Sequence, residues 1–237
     1  MEKIRKINQI LNKIGERRQL TELESKGVLS TWGLPVTNHR IVQTERKAVE
    51  AASTIGYPVV MKLVSPNIIH KTEAGVVQLN LRNDNDVRVA FDKLMNDGNA
   101  KASIAVHGVL VEEMITEGVE IIVGMRRDEV FGPAILFGLG GIFVEVLKEV
   151  SLRVVPLTRN DALEMIQETK GYELLRGYRG ARKADVESLV RIIQGVAQFS
   201  ECFQSIQELD LNPVLVQEDG KGATIVDARI TISQTTS

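Results

Sequence analysis

The sequence is poor in several residue types. Its 237 residues include a single cysteine, three histidines and only 4% aromatic residues. Cys202 has no second thiol with which to form an intrachain disulfide, so disulfide bonds cannot hold this fold together. No run of about 18 apolar residues is present, and the N-terminal stretch MEKIRKINQI lacks the apolar core of a signal peptide. From these absences we expect a cytoplasmic protein without a membrane span.

An excess of charge of one sign is also missing. The chain has 29 basic and 31 acidic residues, and its formal net charge is -2. Without a broad basic field, we expect it to bind neither nucleic acid nor an anionic membrane surface. The remaining composition, 43% hydrophobic and 25% charged, is that of an ordinary soluble globular protein, long enough for one good core or two small lobes.

Helical and strand periodicities both occur along the chain. Helices are predicted over residues 4–14, 21–32, 44–55, 84–95, 158–170 and 185–203. Strands are predicted over residues 59–64, 76–81, 108–114, 120–126, 133–137, 153–157, 208–217 and 222–230. Closely spaced strands favour antiparallel pairing. The pattern predicts an α+β fold, with two lobes and a cleft.

The central stretch is GYPVVMKLVSPNIIHKTEAG, residues 56–75. Lys62 interrupts an apolar strand, and Val60 and Val64 share its face, which favours an enclosed position. A lysine in a buried strand requires an anion, so Lys62 is a candidate anion-binding residue. The alternative is a lysine on an edge strand that points to solvent.

His70 lies in the loop that follows this strand, a few residues from Lys62. An imidazole in that place could accept and donate a phosphoryl group as a nucleophile. The alternative is an exposed loop histidine without a chemical role.

Two groups of polar residues are further candidates. Glu112, Glu113 and Glu120 follow GVLV, where a strand end could present backbone and carboxylate to a nucleoside, or they could form a solvated sheet face. Asp210, Asn212 and Asp227 fall on two strands of a predicted hairpin. Oxygen ligands from neighbouring strands, completed by phosphate, are typical of Mg²⁺ sites, although a turn-capping role for Asn212 is the alternative.

Six motifs, in order and at matching spacing, resemble a known family. They are LSTWGLPV, GYPVVMKLVSPNIIHKTEAG, VLVEEM with VEIIVG, FGPAILFGLGGIFVE, ELDLNPV and VDARI. The chain is similar to the ATP-grasp β subunit of ADP-forming acetyl-CoA synthetase (acetate–CoA ligase, ADP-forming). The later motifs also resemble the β subunit of succinyl-CoA synthetase, in the same NDP-forming acyl-CoA synthetase superfamily.

The resemblance implies a single ATP-grasp domain over residues 1–237, with the nucleotide in the cleft between two α/β lobes. The small lobe would span about 38–112, and the large lobe about 1–37 plus 113–237. By the same resemblance, the nucleotide would contact Lys62, Gly75, Glu112, Glu113 and Glu120. Asn212 and Asp227 would hold Mg²⁺, and His70, Asp210 and Glu145 would be catalytic. One departure is Val76, where the family usually has a second glycine; valine disfavours a positive φ.

The implied reaction interconverts acyl-CoA, ADP and phosphate with carboxylic acid, CoA and ATP, through a phosphohistidine relay at His70. The implied partner is a CoA-binding α subunit that carries another phosphohistidine, in an α2β2 heterotetramer. Two alternatives remain at this point. One is an ATP-grasp carboxylate ligase that uses an acyl phosphate without a phosphohistidine, and the other is a non-enzymatic nucleotide-sensing or scaffold subunit.

Overall fold

The computed structural model describes residues 1–15, 17–65, 76–100, 106–141, 149–177, 180 and 182–233. The helices are α1 (Glu2–Asn12), α2 (Glu22–Trp32), α3 (Glu45–Ile55), α4 (Asp84–Ala100), α5 (Arg159–Gln167), α6 (Tyr172–Leu175) and α7 (Val186–Cys202). The strands are β1 (His39–Val42), β2 (Val59–Val64), β3 (Val77–Leu81), β4 (Gly108–Glu113), β5 (Val119–Asp128), β6 (Gly132–Leu139), β7 (Val150–Val154), β8 (Ile206–Val216), β9 (Ala223–Ile225) and β10 (Ala228–Ile232). The predicted α+β class and antiparallel pairing are confirmed.

The chain divides into two compact units. One comprises Met1–Val36 and Glu117–Ser237, and the other comprises Thr37–Thr116. Among the described helices, none is both long and apolar enough to cross a membrane.

The unit Thr37–Thr116 is built on a four-stranded sheet with the order β1-β4-β2-β3. Helices α3 and α4 pack on one face of it, over a core that includes Met61, Leu63 and Val111. Because side chains alternate along a strand, Lys62 points to the opposite face. The strand order puts β2 inside the sheet, so the edge-strand interpretation of Lys62 is wrong.

The other unit is built on a six-stranded antiparallel sheet. Its main path is β10-β8-β5-β6-β7, and β9 pairs with β8. Helices α5 and α7 pack on one face, where the buried residues of β5, β6 and β8 form the core. The remaining residues of these strands therefore form an outer face, which we call the outer face of the large sheet.

Local sequence signals explain where several helices begin. Thr21 and Glu24 form a capping box at the start of α2, and Thr158 and Asp161 form one at the start of α5. Each pair satisfies backbone N–H groups that have no partner within the helix. The predicted starts of these two helices are thereby confirmed.

Two predicted strands differ from the observed ones. The strand expected over residues 153–157 is β7, Val150–Val154, since its pairing with β6 begins at Val150 opposite Gly138. The strand expected over residues 222–230 is broken into β9 and β10, because Val226 and Asp227 lie between them. Asp227 therefore lies in a strand break and not on a strand.

Candidate functional site

Lys62 and Glu112 form a buried ion pair on the face of the four-stranded sheet opposite α3 and α4. Glu112 lies opposite Val60 in the β2–β4 pairing, so its side chain shares the face of Lys62 two residues further along. The Nζ atom of Lys62 lies 2.5 Å from Oε1 of Glu112, and their side chains are only 8% and 1% exposed. The prediction that Lys62 is enclosed is confirmed, and a carboxylate of the chain itself is one anion that it contacts.

Thr37 holds the second oxygen of the same carboxylate. Its hydroxyl donates to Oε2 of Glu112 over 3.0 Å, and Thr37 is itself buried. Thr37 precedes β1, whose first residue, His39, lies opposite Glu112. The sequence reasoning missed Thr37, since a lone threonine after LSTWGLPV carries no motif that links it to a residue 75 positions away.

Glu113 is engaged by the backbone of the neighbouring segment. Its carboxylate accepts hydrogen bonds from the N–H of Asn38 (2.8 Å) and from Nδ2 of Asn38 (3.2 Å). The N–H of Glu113 in turn donates to the carbonyl of Asn38 over 3.0 Å. These bonds fix the start of β1 against the end of β4. Glu113 therefore has a structural role.

Glu120 lies against two glycines of the FGLGG motif. Its carbonyl accepts a hydrogen bond from the N–H of Gly140 over 2.7 Å. A Cβ at Gly141, where φ is +59°, would lie 2.7 Å from Oε2 of Glu120. Only glycine fits this backbone without moving the carboxylate. The motif therefore lies directly against Glu120, whose side chain is exposed.

The polar residues of β8 lie on the outer face of the large sheet. In the β8–β10 pairing, Asp210 is opposite Arg229, and Leu211 is opposite Ala228. The N–H of Val226 donates to the carbonyl of Pro213 over 3.0 Å, which continues the same register through the strand break. Asn212 therefore lies opposite Asp227, where facing Cβ atoms are about 5 Å apart in such ladders.

A β-bulge shapes β8 at this point. In the pairing with β5, Ile121 is opposite Val214 while Val123 is opposite Leu211. Ile122 thus faces two residues, Asn212 and Pro213. Pro213 has no N–H to give to the ladder, which suits a bulge. Bulges re-aim side chains, so this one sets the direction of Asn212.

Asp210 has a pKa raised above the ordinary range of aspartate. Burial is the main cause, since it disfavours the charged carboxylate; Arg229 opposes this effect and Glu208 adds to it. Asn212 and Asp227 offer an amide oxygen and a carboxylate, both hard ligands suited to Mg²⁺ together with water and phosphate. The N–H of Ala228 donates to Oδ1 of Asp227 over 2.8 Å, which orients that carboxylate. The donor types and their placement fit this ion.

Three predicted residues, His70, Gly75 and Glu145, lie outside the described residues. Val76 is described: it is fully buried, and its carbonyl accepts from the N–H of Leu63 over 3.0 Å. Val76 thus has a place in the core of its unit. Over the described ranges, no group of three or more His, Cys, Asp and Glu residues could by itself hold a metal ion. An ion at Asn212 and Asp227 would complete its shell with water and phosphate.

Comparisons with known proteins show the family of this chain. A model of the ATP-grasp domain family matches residues 12–232. Acetate–CoA ligase (ADP-forming) I subunit beta from Pyrococcus furiosus is 46% identical over 232 residues, which cover 97% of this chain and 99% of that relative. The predicted ATP-grasp fold is confirmed.

Solved structures of one enzyme are also similar to this chain. The dinucleotide forming acetyl-coenzyme A synthetase 1 of Ca. Korarchaeum cryptofilum, in complex with coenzyme A, Ca-AMPCP and HgCl+, superposes with a TM-score of 0.90 at 40% identity, covering 95% of this chain and 99% of that chain. A selenomethionine form of that enzyme, with coenzyme A and Mg-AMPPCP, has its phosphohistidine segment pointing towards the nucleotide binding site; its TM-score is 0.85 at 39% identity, covering 96% and 100%. The chain therefore belongs to the ATP-grasp family and, within it, to the β subunits of ADP-forming acetate–CoA ligases.

Proposed function

We propose that this chain is the nucleotide-binding subunit of an ADP-forming acyl-CoA synthetase. The enzyme would interconvert acyl-CoA, ADP and phosphate with carboxylic acid, CoA and ATP. The observation that carries the proposal is the shared face of Asp210, Asn212 and Asp227, which puts a half-buried acid beside a pair of hard oxygen ligands. The family membership supports the same reaction.

The nucleotide contacts follow the elements described above. Lys62 would bind phosphate oxygens, in exchange for part of its contact with Glu112. Glu112 and Glu113 are the last two residues of β4, and the unit Thr37–Thr116 ends three residues later. We assign the adenine hinge to this strand end. Glu120, which lies against the glycines of FGLGG, would accept hydrogen bonds from the ribose hydroxyls, and Gly75 would give backbone access to phosphate.

Asn212 and Asp227 would hold Mg²⁺ together with nucleotide phosphates. When bound, the ion would neutralise the charge that builds up on the phosphate oxygens. The similar enzyme from Ca. Korarchaeum cryptofilum has been solved with Mg-AMPPCP, which supports this choice of ion. The residues of this chain would fix the carboxylate and amide oxygens through the ladder and the bulge.

His70 would carry the phosphoryl group. In the direction of ATP synthesis, the P–N bond of the phosphohistidine breaks, its electron pair returns to the imidazole nitrogen, and a terminal oxygen of ADP forms the new P–O bond. Asp210 would accept a hydrogen bond from the other ring N–H and keep the imidazole in the required tautomer. Glu145 is the second acid that we assign to this task.

The acyl-CoA chemistry would belong to a partner. The name of the P. furiosus relative as a subunit beta supports a second polypeptide. We assign to it the CoA site and another phosphohistidine, in an α2β2 heterotetramer located in the cytoplasm.

Reconstitution tests this proposal. The chain would be mixed with a CoA-binding α subunit, and ATP formation from acetyl-CoA, ADP and phosphate would be followed. We expect the mixture to be active, each chain alone to be inactive, and His70→Ala to lower the activity of the mixture to background. Full activity of the His70→Ala mixture would instead indicate a direct acyl-phosphate ligase.

A further inference from the structure

Strand β7 lies at the end of the large sheet and presents apolar side chains there. Val150, Leu152 and Val154 lie on the outer face and are 49%, 57% and 48% exposed. β6 pairs with one edge of β7, and no strand within the described ranges pairs with the other edge. Edge strands of this kind tend to pair with a further strand, which proteins commonly prevent with lysine or proline. β7 contains neither residue.

The backbone of β7 turns the same three residues towards the open edge. The N–H of Val155 donates to the carbonyl of Pro133 over 2.9 Å, so the backbone groups of Val155 point towards β6. In an antiparallel ladder every second residue points this way, and the residues between them point away from the partner strand. Val150, Leu152 and Val154 therefore direct their N–H and C=O groups to the open edge.

The polar side chains of β7 are engaged with one carboxylate. The Arg153 guanidinium donates to both oxygens of Glu168, over 2.9 and 2.7 Å, and the Ser151 hydroxyl contacts the same carboxylate. The guanidinium also donates to the carbonyl of Leu152 over 2.9 Å, and that carbonyl keeps a second lone pair for another donor. Because Glu168 balances Arg153, β7 carries no unpaired charge that would repel an incoming strand.

The sequence of β7, VSLRV, is symmetrical in its apolar pattern. If two copies of β7 pair antiparallel about Leu152, then Leu152 faces Leu152 of the second copy, and Val150 faces Val154. Each of these facing pairs can exchange two N–H···O=C bonds, because the backbone groups of all three residues point outward. A register centred on Arg153 would place two guanidinium groups opposite each other, and one centred on Ser151 would leave Val154 beyond the paired strand.

We propose that β7 is an interaction surface for a second copy of this chain, which pairs with it antiparallel about Leu152. The two large sheets would join across a two-fold axis, as in the isologous contacts of identical subunits. Facing apolar side chains would add to the backbone bonds. One pair of short strands makes a smaller contact than a standard interface, so we expect a weak dimer. The inference goes beyond the proposed function and does not depend on it.

Sedimentation of the 237-residue chain over a range of concentrations tests the surface. We expect a monomer–dimer equilibrium that depends on concentration. Leu152→Lys should raise the dissociation constant by about tenfold or more, because it places two ammonium groups opposite each other. Val89→Lys is the control, since Val89 is 61% exposed on α4 in the other unit. This variant adds the same charge and should associate like the wild type.

Cross-linking tests the register. The exposed Cys202 is first removed by Cys202→Ser, and Leu152→Cys is added. Residues that exchange both hydrogen bonds across an antiparallel ladder have Cα atoms about 5.5 Å apart, a distance that a disulfide can bridge. We expect oxidation by diamide to link Leu152→Cys/Cys202→Ser into dimers much faster than it links Val89→Cys/Cys202→Ser.

The outcomes distinguish a second copy from other occupants of this edge. A chain that stays monomeric up to its solubility limit, or a dimer that Leu152→Lys leaves unchanged, overturns the inference. If the chain alone is monomeric while Leu152→Lys weakens binding to the CoA-binding α subunit, the edge belongs to that partner instead. Equal rates of cross-linking in the two cysteine variants refute the register. Should Leu152→Lys not fold, the smaller change Leu152→Cys carries the test.

Discussion

Lys62 and Glu112 meet at 2.5 Å on the face of the four-stranded sheet opposite α3 and α4, and Thr37 donates a hydrogen bond to the other oxygen of the same carboxylate. The buried ammonium thus has a counter-charge within its own unit. A nucleotide phosphate that binds Lys62 must compete with Glu112 or share the ammonium with it. The affinity for nucleotide and the stability of this unit are therefore linked through one pair of side chains.

Replacement of Lys62 alone should be much worse for stability than replacement of both partners. Lys62→Met leaves a buried carboxylate without its ammonium, and we expect a loss of about 3–5 kcal/mol in the free energy of unfolding. Lys62→Met/Glu112→Gln removes both charges and keeps an acceptor for Thr37, so most of that loss should be recovered. Urea unfolding measures both. A double variant as unstable as the single one would show that the pair is not the cause.

Gly141→Ala should lower nucleotide affinity through Glu120. The new Cβ would lie 2.7 Å from Oε2 of Glu120 and displace that carboxylate, so we expect an affinity for ADP lower by about tenfold. Gly132→Ala is the control, because its φ of +77° imposes similar backbone strain while its Cβ meets nothing within 4 Å. Calorimetric titration with ADP compares the two. Equal affinities would exclude the contact with Glu120 as a determinant of binding.

Asn212→Ala and Asp227→Asn should raise the Mg²⁺ concentration that half-maximal activity requires. Each removes one proposed oxygen ligand, and we expect an increase of about 10-fold to 100-fold. Asp219→Asn is a suitable control, since Asp219 lies in the turn after β8 and pairs with Lys183 at the surface. An unchanged Mg²⁺ requirement in both site variants would place the ion elsewhere.

Asp210→Asn should raise the stability of the chain at neutral pH while it lowers the activity, and the gain in stability should depend on pH. Because burial raises the pKa of Asp210, the folded chain binds this proton more tightly than the unfolded chain does. The charged carboxylate therefore costs stability above the folded pKa, and this cost disappears as the pH falls below the unfolded value of about 3.9.

We thus expect Asp210→Asn to melt at a higher temperature than the wild type at pH 7, with the difference shrinking at acid pH. The same variant should lose phosphoryl relay by about 10²-fold. The measurement is a series of melting curves between pH 3 and about 7. The lower end of this pH range lies around the ordinary pKa of aspartate. A wild type that is more stable than Asp210→Asn at neutral pH would contradict the assigned role of burial.

Much of the fold could be predicted because its signals are local. Thr21 and Thr158 initiate helices through contacts three residues away, and Val60, Lys62 and Val64 show a strand by alternation alone. Long-range pairing decided the rest. Because of its pairing with β6, β7 begins and ends three residues earlier in the chain than the predicted strand. This register also places the apolar side chains of Val150 and Leu152 on the outer face, where they are exposed, although apolar side chains are usually buried. Cys202 is exposed at the end of α7, although this helix is amphipathic.

The candidate residues were predictable where chemistry requires an unusual residue type. A lysine inside an apolar strand and an Asn-Pro pair in β8 both stand out in the sequence. Their partners did not, because Glu112 meets Lys62 only through the order of β2 and β4, and Asn212 meets Asp227 only through a register that continues across a strand break. Arg229 was part of a quoted motif, yet its place opposite Asp210 required the strand pairing.

The most direct test of the account is the identity of the phosphorylated residue. The chain with its α subunit would be incubated with Mg²⁺ and ATP labelled at the γ-phosphate, and the label would be mapped by peptide sequencing. We predict an acid-labile, base-stable label on His70 that is lost in His70→Ala. ATP that binds normally in the complex without labelling His70 would contradict the relay and favour direct transfer to a carboxylate.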